Sequence, residues 1–318
     1  MLLRAMNVAL YTGSMTLESW REALTRAFAD AHLDATVLLW ENQPLAAKYA
    51  VVWLPPRALF ESEPGLRAVI NLGAGVDALL AGGVVPPTIP IIRVIDAGMA
   101  PKIAEYVCFA LARLTRGLER FGGPSPLKDW NADRPRGSAP MVGVMGLGAI
   151  GGKIAQAAAL FDYPVIGWAR TPHTIPAVRT FAARAQLDAF LGEVQILVNS
   201  LPLTKETENL LDAHALARLP RGAHLINVGR GQTIVDKDLL AALDSGQLAS
   251  ATLDVFREEP LPAAHPFWSH PKVTVTPHLS GPTPLAPAAK QIAEALLQLE
   301  RGVPATDVPG YVDRARGY

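Results

Sequence analysis

One cysteine, Cys108, is all that 318 residues contain, so no disulfide can form within the chain. It stands in a helix-like apolar stretch, residues 104–111, where a small buried side chain is expected rather than a nucleophile. No excess of either charge is present: Lys and Arg total 29, and Asp and Glu total 29. That balance removes any electrostatic reason to expect nucleic acid or an anionic membrane as partner. No apolar run reaches membrane-spanning length, and residues 1–7 lack the apolar core and small-residue cleavage site of a secretory signal. A cytoplasmic location and no metal are therefore expected. Charged residues make up only 18% and hydrophobic residues 50%, the composition of an ordinary globular protein and not of a disordered one. The length suggests about two domains with a substantial core.

What is present is an alternation of short apolar runs with amphipathic stretches. Residues 7–11, 35–40, 49–54, 68–72 and 91–95 read as strands, and 17–31 as a helix between the first two. A long helix is expected over 102–116. It is followed by a segment rich in Gly, Pro and charge, 117–140, which reads as an arm rather than a core element. Strands and helices then alternate again: 141–145, 164–168, 196–200, 224–228, 251–256 and 272–276 read as strands, and 236–244 has a helical pattern. Alternation of this kind indicates a doubly wound parallel sheet. The chain thus reads as two α/β units, the second opening in mid-chain.

The second unit opens on Gly146-Leu147-Gly148-Ala149-Ile150-Gly151, between an apolar run and a helix-forming stretch. In a strand–turn–helix setting the first glycine permits the turn, the second lets the backbone approach a pyrophosphate, and the third allows helix to pack on strand. The free N–H groups at the helix start then favour a phosphate. Ligands of such sheets bind at the carboxyl ends of the strands, so the residues after each run matter most. Arg170 and Thr171 stand where an NAD site usually places an acid, and an Arg there accommodates a 2′-phosphate. NADP is therefore expected as the preferred cofactor, with NAD possible. Leu201, Pro202 and Thr207 follow the next strand; Pro202 terminates it, and a contact to cofactor and a purely structural role both stand open.

Gly229-Arg230-Gly231 follows the run at 224–228. Flanking glycines let the backbone pass close to a ligand, while the guanidinium offers a planar fork that suits a carboxylate. Arg257, Glu258 and Glu259 follow the next run, and His278 the last. Arg, Glu and His at three successive exits of one sheet suit hydride transfer to a carbonyl. Charge develops on the oxygen and a proton must reach it, and a carboxylate beside an imidazole orients the ring and favours its acid form. The cofactor supplies the reaction, and the protein supplies position and field.

Five motifs occur in order: Asn71-Leu72-Gly73-Ala74-Gly75-Val76-Asp77, the glycine turn at 146–151, Asn227-Val228-Gly229-Arg230-Gly231, the run at 253–262 ending in Glu259-Pro260-Leu261-Pro262, and Thr276-Pro277-His278. On these the chain resembles the D-isomer-specific 2-hydroxyacid dehydrogenases over nearly its whole length, and at Val52-Trp53-Leu54-Pro55-Pro56 and Val312-Asp313-Arg314-Ala315-Arg316-Gly317-Tyr318 it resembles in particular the glyoxylate/hydroxypyruvate reductase A branch. The resemblance implies a flavodoxin-like substrate domain of residues 1–98 plus 284–318. It implies a Rossmann cofactor domain of residues 99–283 with a dimerisation arm around 117–140, an interdomain cleft, and a homodimer. It makes Arg230 the arginine that binds the substrate carboxylate and carbonyl, His278 the proton donor, and Glu259 the acid paired with it, because the family's acid directly precedes this proline. Ala74, Gly75 and Val76 correspond to the loop whose N–H groups hold the substrate carboxylate. Asp254 corresponds to a residue near the nicotinamide, with Val228 and Gly229 on the cofactor side. Trp53 and Trp130 are candidates for lining the substrate end.

The activity implied is NAD(P)H-dependent reduction of small 2-oxo acids, glyoxylate and hydroxypyruvate leading. Another D-2-hydroxyacid dehydrogenase activity, formate oxidation on the same fold and a non-enzymatic NAD(P)-binding regulator remain as alternatives; Glu259 speaks against formate oxidation, since that branch pairs its His with Gln. Leu279-Ser280-Gly281 after His278 departs from the small apolar residues expected there, which bears on substrate preference.

Overall fold

A computed structural model describes residues 6–13, 17–121 and 138–317; Trp130 and most of the expected arm lie outside the described residues. The chain forms two compact units, Met1–Gly98 with Thr283–Tyr318, and Met99–Pro282.

The first unit contains β1 (Met6–Thr12), α1 (Leu17–Asp30), β2 (Ala35–Leu39), β3 (Tyr49–Trp53), α2 (Arg57–Ser62), β4 (Ala68–Asn71), α3 (Asp77–Leu80) and β5 (Ile91–Arg93). The strands are parallel in the order β2-β1-β3-β4-β5, the flavodoxin-like order. Val8, Ala9 and Leu10 of β1 and Ala50, Val51 and Val52 of β3 are fully buried, as strands covered on both faces must be. On α1 the buried residues are Trp20, Leu24 and Phe28, a spacing of four that lines one helix face.

The second unit continues with α4 (Met99–Arg116), β6 (Val142–Met145), α5 (Ala149–Leu160), β7 (Val165–Ala169), β8 (Arg179–Ala182), α6 (Leu187–Leu191) and β9 (Ile196–Asn199). It closes with α7 (Ala213–Arg218), β10 (Ala223–Asn227), α8 (Asp236–Asp244), β11 (Leu248–Leu253) and β12 (Val273–Val275). Its sheet runs β12-β11-β10-β9-β6-β7-β8, again parallel. Strand order reverses between β6 and β9, and a crevice at that point is where such sheets take ligands. The fold class is the one the pattern predicts, two doubly wound parallel sheets.

Elements differ from expectation where a local reason is visible. Helix α4 starts at Met99, not at residue 102, because Pro101 sits in its first turn, where a missing N–H breaks no bond. Strand β11 ends at Leu253, short of 256: the Phe256 N–H is taken by the Glu259 carboxylate (2.9 Å) and not by a neighbouring strand. Strand β8 carries no apolar period, since it is a four-residue edge strand with Arg179 exposed.

After the second unit, α9 (Leu285–Glu300) belongs to the first and packs on α1. Its Glu300 accepts from Lys48 Nζ and Tyr49 Oη, each at 2.7 Å. Beyond it, Arg314 donates to the carbonyls of Val85, Pro86 and Ile89 at 2.9–3.2 Å. Among the described residues no helix is long and apolar enough to cross a membrane.

Candidate active site

The glycine turn joins β6 to α5 at the reversal of strand order. Gly146 has φ +88°, a left-handed conformation that glycine adopts without penalty. A Cβ on Gly151 would lie 1.7 Å from the Gly146 carbonyl oxygen, so the third glycine is dictated by the protein itself. Gly148 differs: a Cβ there would meet no protein atom within 4 Å. The open space lies beside the start of α5, whose first N–H groups receive no side-chain cap from Gly148. An exposed backbone, an uncapped helix start and a missing Cβ together fit a pyrophosphate. Across the reversal, the Ser200 hydroxyl contacts the carbonyls of Met145 (2.9 Å) and Gly146 (3.1 Å), holding the turn against β9.

At the exit of β7, Arg170 and Thr171 are exposed. Glu206 is held below the usual carboxylate range, first by a hydrogen bond from Thr204 and by its own backbone N–H, then by the charges of Arg170 and Lys205. Arg170 and Lys205 therefore act on one neighbourhood, and Lys205 carries no mark in the sequence that sets it beside Arg170. The Thr207 hydroxyl turns inward, to the Pro202 carbonyl (2.7 Å) and the Thr204 N–H (2.8 Å). It shapes the loop that carries Leu201 and Pro202.

Arg230 follows β10, on a backbone fixed by asparagines. Asn199 and Asn227, the last residues of β9 and β10, are buried, and Asn199 Nδ2 donates to Asn227 Oδ1 (2.9 Å) and Thr233 Oγ1 (2.7 Å). Asn227 Oδ1 accepts from the Gly229 N–H (3.1 Å), while the Arg230 carbonyl accepts from Asn227 Nδ2 (3.2 Å) and the Thr233 hydroxyl (2.6 Å). A closed network of buried amides holds a backbone rigidly, because any shift leaves a polar group unpaired. Val228 and Gly229 lie in this turn, beside Leu201: a Cβ on Gly229 would come within 2.7 Å of the Leu201 carbonyl oxygen.

His278 and Glu259 meet as the motif order implies: Nδ1 and Oε2 are 2.7 Å apart. Pairing at Nδ1 leaves Nε2 as the ring nitrogen available to a substrate. Burial by itself raises the Glu259 carboxyl. The His278 hydrogen bond, the Phe256 N–H and the neighbouring His278 and Arg230 charges outweigh burial and set it below its ordinary value. His278 has φ +50°, a strained conformation for a non-glycine residue, and its N–H donates to the carbonyls of Asp254 (2.9 Å) and Thr276 (3.0 Å).

Asp254 is fully buried and anchors this loop. Its Oδ1 accepts from the Thr276 hydroxyl (2.6 Å) and the Leu279 N–H (2.9 Å), and its Oδ2 from the Ser280 N–H (2.9 Å). With the Thr276 proton given to Asp254, the Tyr106 hydroxyl 2.7 Å away is the donor to Thr276. Burial raises the Tyr106 phenol and keeps it in that role. The sequence assigns no role to Tyr106, Asn199 or Asn227. The asparagines had a signal: an amide closing a short strand directly after apolar residues.

In the first unit, Trp53 ends β3 and Asn71 ends β4. Asn71 Nδ2 donates to the carbonyls of Gly73 (2.9 Å) and Gly75 (2.7 Å), and Arg93 Nη1 to that of Ala74 (3.1 Å). In a trans peptide C=O and N–H point oppositely, so engaging these carbonyls turns the following N–H groups, those of Ala74, Gly75 and Val76, the other way. The Trp53 indole lies over the loop, 2.6 Å from where a Cβ on Gly73 would stand.

Known proteins resemble this chain in sequence and in fold. Residues 110–280 match the family model described as D-isomer specific 2-hydroxyacid dehydrogenase, NAD binding domain. A glyoxylate/hydroxypyruvate reductase A of Serratia proteamaculans is 39% identical over 98% of this chain and 100% of its own length. Among solved structures, a D-isomer specific 2-hydroxyacid dehydrogenase of Xanthobacter autotrophicus Py2 in complex with NADPH and MES is 38% identical, with TM-score 0.88, over 99% of this chain and 100% of that one. An NADPH-dependent glyoxylate/hydroxypyruvate reductase of Sinorhizobium meliloti in complex with NADP and sulfate is 32% identical, with TM-score 0.85, over 98% of this chain and 100% of that one. By motif, fold and similarity, the chain belongs to the D-isomer specific 2-hydroxyacid dehydrogenase family.

Proposed function

We propose that the protein reduces small 2-oxo acids, glyoxylate and hydroxypyruvate foremost, to 2-hydroxy acids with NADPH as preferred cofactor. The observation that carries this reading is the 2.7 Å pairing of His278 Nδ1 with Glu259, at strand exits of the sheet that also presents Arg230. When bound, the reduced nicotinamide supplies the hydride; the glycine turn at 146–151 and Arg170, with Lys205, would hold its phosphates. Arg230 pairs with the substrate carboxylate and polarises the adjacent carbonyl, stabilising charge as it forms on oxygen. His278 gives that oxygen a proton from Nε2. Glu259 holds the Nδ1 side and fixes the ring. Ala74, Gly75 and Val76 offer N–H groups to the carboxylate, with Trp53 as an apolar wall.

The names of the similar proteins support this choice of substrate and of NADP. Loss of reduced-cofactor absorbance with a panel of 2-oxo acids, NADPH against NADH, tests it. Turnover of glyoxylate or hydroxypyruvate at higher kcat/KM with NADPH is expected; no turnover with any 2-oxo acid overturns it.

We also propose a homodimer through the second unit. Phe109 on α4, Leu160 at the end of α5 and Phe161 beside it are 64%, 83% and 66% exposed, large apolar side chains on two helices that pack together and that a second copy would cover. Light scattering should give a dimer mass, and F109E with L160E a monomer mass. A monomer in the unaltered protein rejects it.

A further inference from the structure

The loop bearing Glu259 and the turn bearing Arg230 abut directly. A Cβ on Gly231 would fall 1.9 Å from the Phe256 carbonyl carbon and 2.4 Å from the Arg257 nitrogen, so the two backbones touch with no side chain between them. Across this junction Arg257 Nη1 donates to the carbonyls of Ile234 (2.5 Å) and Gln232 (3.3 Å), and to Asn209 Oδ1 (2.8 Å). Its own carbonyl accepts from Gln232 Nε2 (2.9 Å). Asn209 closes the circle, its N–H donating to the Gln232 carbonyl (2.9 Å). One guanidinium therefore ties together the loop from β9, the turn after Arg230 and the loop before Glu259. Its neighbour Glu258 is exposed. A guanidinium cannot lose its proton, so the clamp holds at every working pH; it also faces Asp236, whose carboxyl burial raises and Arg257 lowers.

We infer that Arg257 is a positioning residue, which sets the placement of Arg230 against the Glu259–His278 pair by clamping the turn after the first onto the loop of the second. It touches neither substrate nor cofactor and acts through Gly231 on one side and Phe256 on the other. Phe256 matters because its N–H is the second donor to the Glu259 carboxylate. The inference rests on reading Arg230, Glu259 and His278 as the reacting set.

The test is R257Q, R257K and N209A in the full chain, with E258Q as control. R257Q should lower kcat by about ten- to hundredfold, the scale of a small misplacement of reacting groups, while the KM for NADPH changes by less than about twofold. R257K, which keeps a charged donor, should recover most of the loss, and N209A should show a smaller effect in the same direction. In carbon NMR, the Glu259 carboxyl of R257Q should titrate at higher pH than in the unaltered protein, since its Phe256 donor is loosened. Wild-type kcat and Glu259 titration in R257Q overturn the inference. If R257Q does not fold, wild-type kcat and Glu259 titration in N209A overturn it instead. The titration needs no turnover, so it decides the role of Arg257 even if the substrate assignment fails.

Discussion

Asp254→Asn is the sharpest probe of how the His278 loop is held. The side chain is fully buried and accepts three hydrogen bonds, two on Oδ1 and one on Oδ2. Asparagine has the same size and keeps one acceptor, which the Thr276 hydroxyl and Leu279 N–H claim. Its amide nitrogen then faces the Ser280 N–H, donor against donor. Losing one charge-assisted bond and leaving that N–H buried and unpaired costs about 2–4 kcal/mol. For a unit of this size that is a fall of roughly 5–15 °C in Tm, read by calorimetry. Turnover should drop as well, by about tenfold or more, because Thr276, Leu279 and Ser280 bracket His278 and the Ser280 side of that bracket loses its anchor. Wild-type Tm and kcat in D254N would refute the anchoring role. A raised KM for NADPH at unchanged Tm would point instead to the nicotinamide contact that the family resemblance implies.

His278→Ala should lower kcat on the order of 10²- to 10⁴-fold, the range for loss of a general acid, in steady-state assays at saturating substrate. The depressed Glu259 carboxyl contributes stability that is complete above its unfolded value of about 4.3 and disappears as pH falls through the lower folded value. Urea titrations across that window should show the loss, and E259Q should abolish it. Gly151→Ala has no room for its methyl group, 1.7 Å from the Gly146 carbonyl oxygen, and should weaken dinucleotide binding at least about tenfold by fluorescence titration; unchanged affinity would mean that the turn does not hold the phosphates. Arg170→Asp should reverse the ratio of kcat/KM for NADPH and NADH, because a carboxylate suits ribose hydroxyls and repels a 2′-phosphate.

Which parts of this molecule are legible in its sequence follows from where the signal lies. Apolar strands and the glycine turn announce themselves, since period and composition are local. Arg230, Glu259 and His278 are legible for a related reason: each stands in the loop after a strand, and strand ends of one sheet converge, while Glu259 is told from Glu258 only by the acid-before-proline pattern of the resemblance. Asp254 is visible as a residue but not in its role, because its partners at 276, 279 and 280 lie in another loop. Tyr106 is less visible still, a phenol on a long helix whose only mark is the distant Thr276 it contacts. Arg257 sits beside two glutamates and reads as part of a charged surface run; only the folding of 209, 232 and 234 around it shows otherwise. Strand β8 escaped because an edge strand needs no apolar face of its own.

The return of α9 and of the Arg314 segment to the first unit has a consequence for synthesis on the ribosome. The second unit is one continuous stretch, Met99–Pro282, and has all its strands once that stretch has emerged. The first unit has its five strands much earlier, yet α1 lacks the helix it packs on until Leu285–Glu300 has been made. Although domains generally fold in order from the N-terminus during translation, here the later unit is complete first. The earlier one waits, half-built, for the last part of the chain. Pulse proteolysis of stalled nascent chains should find the second unit protected while the first is still cut.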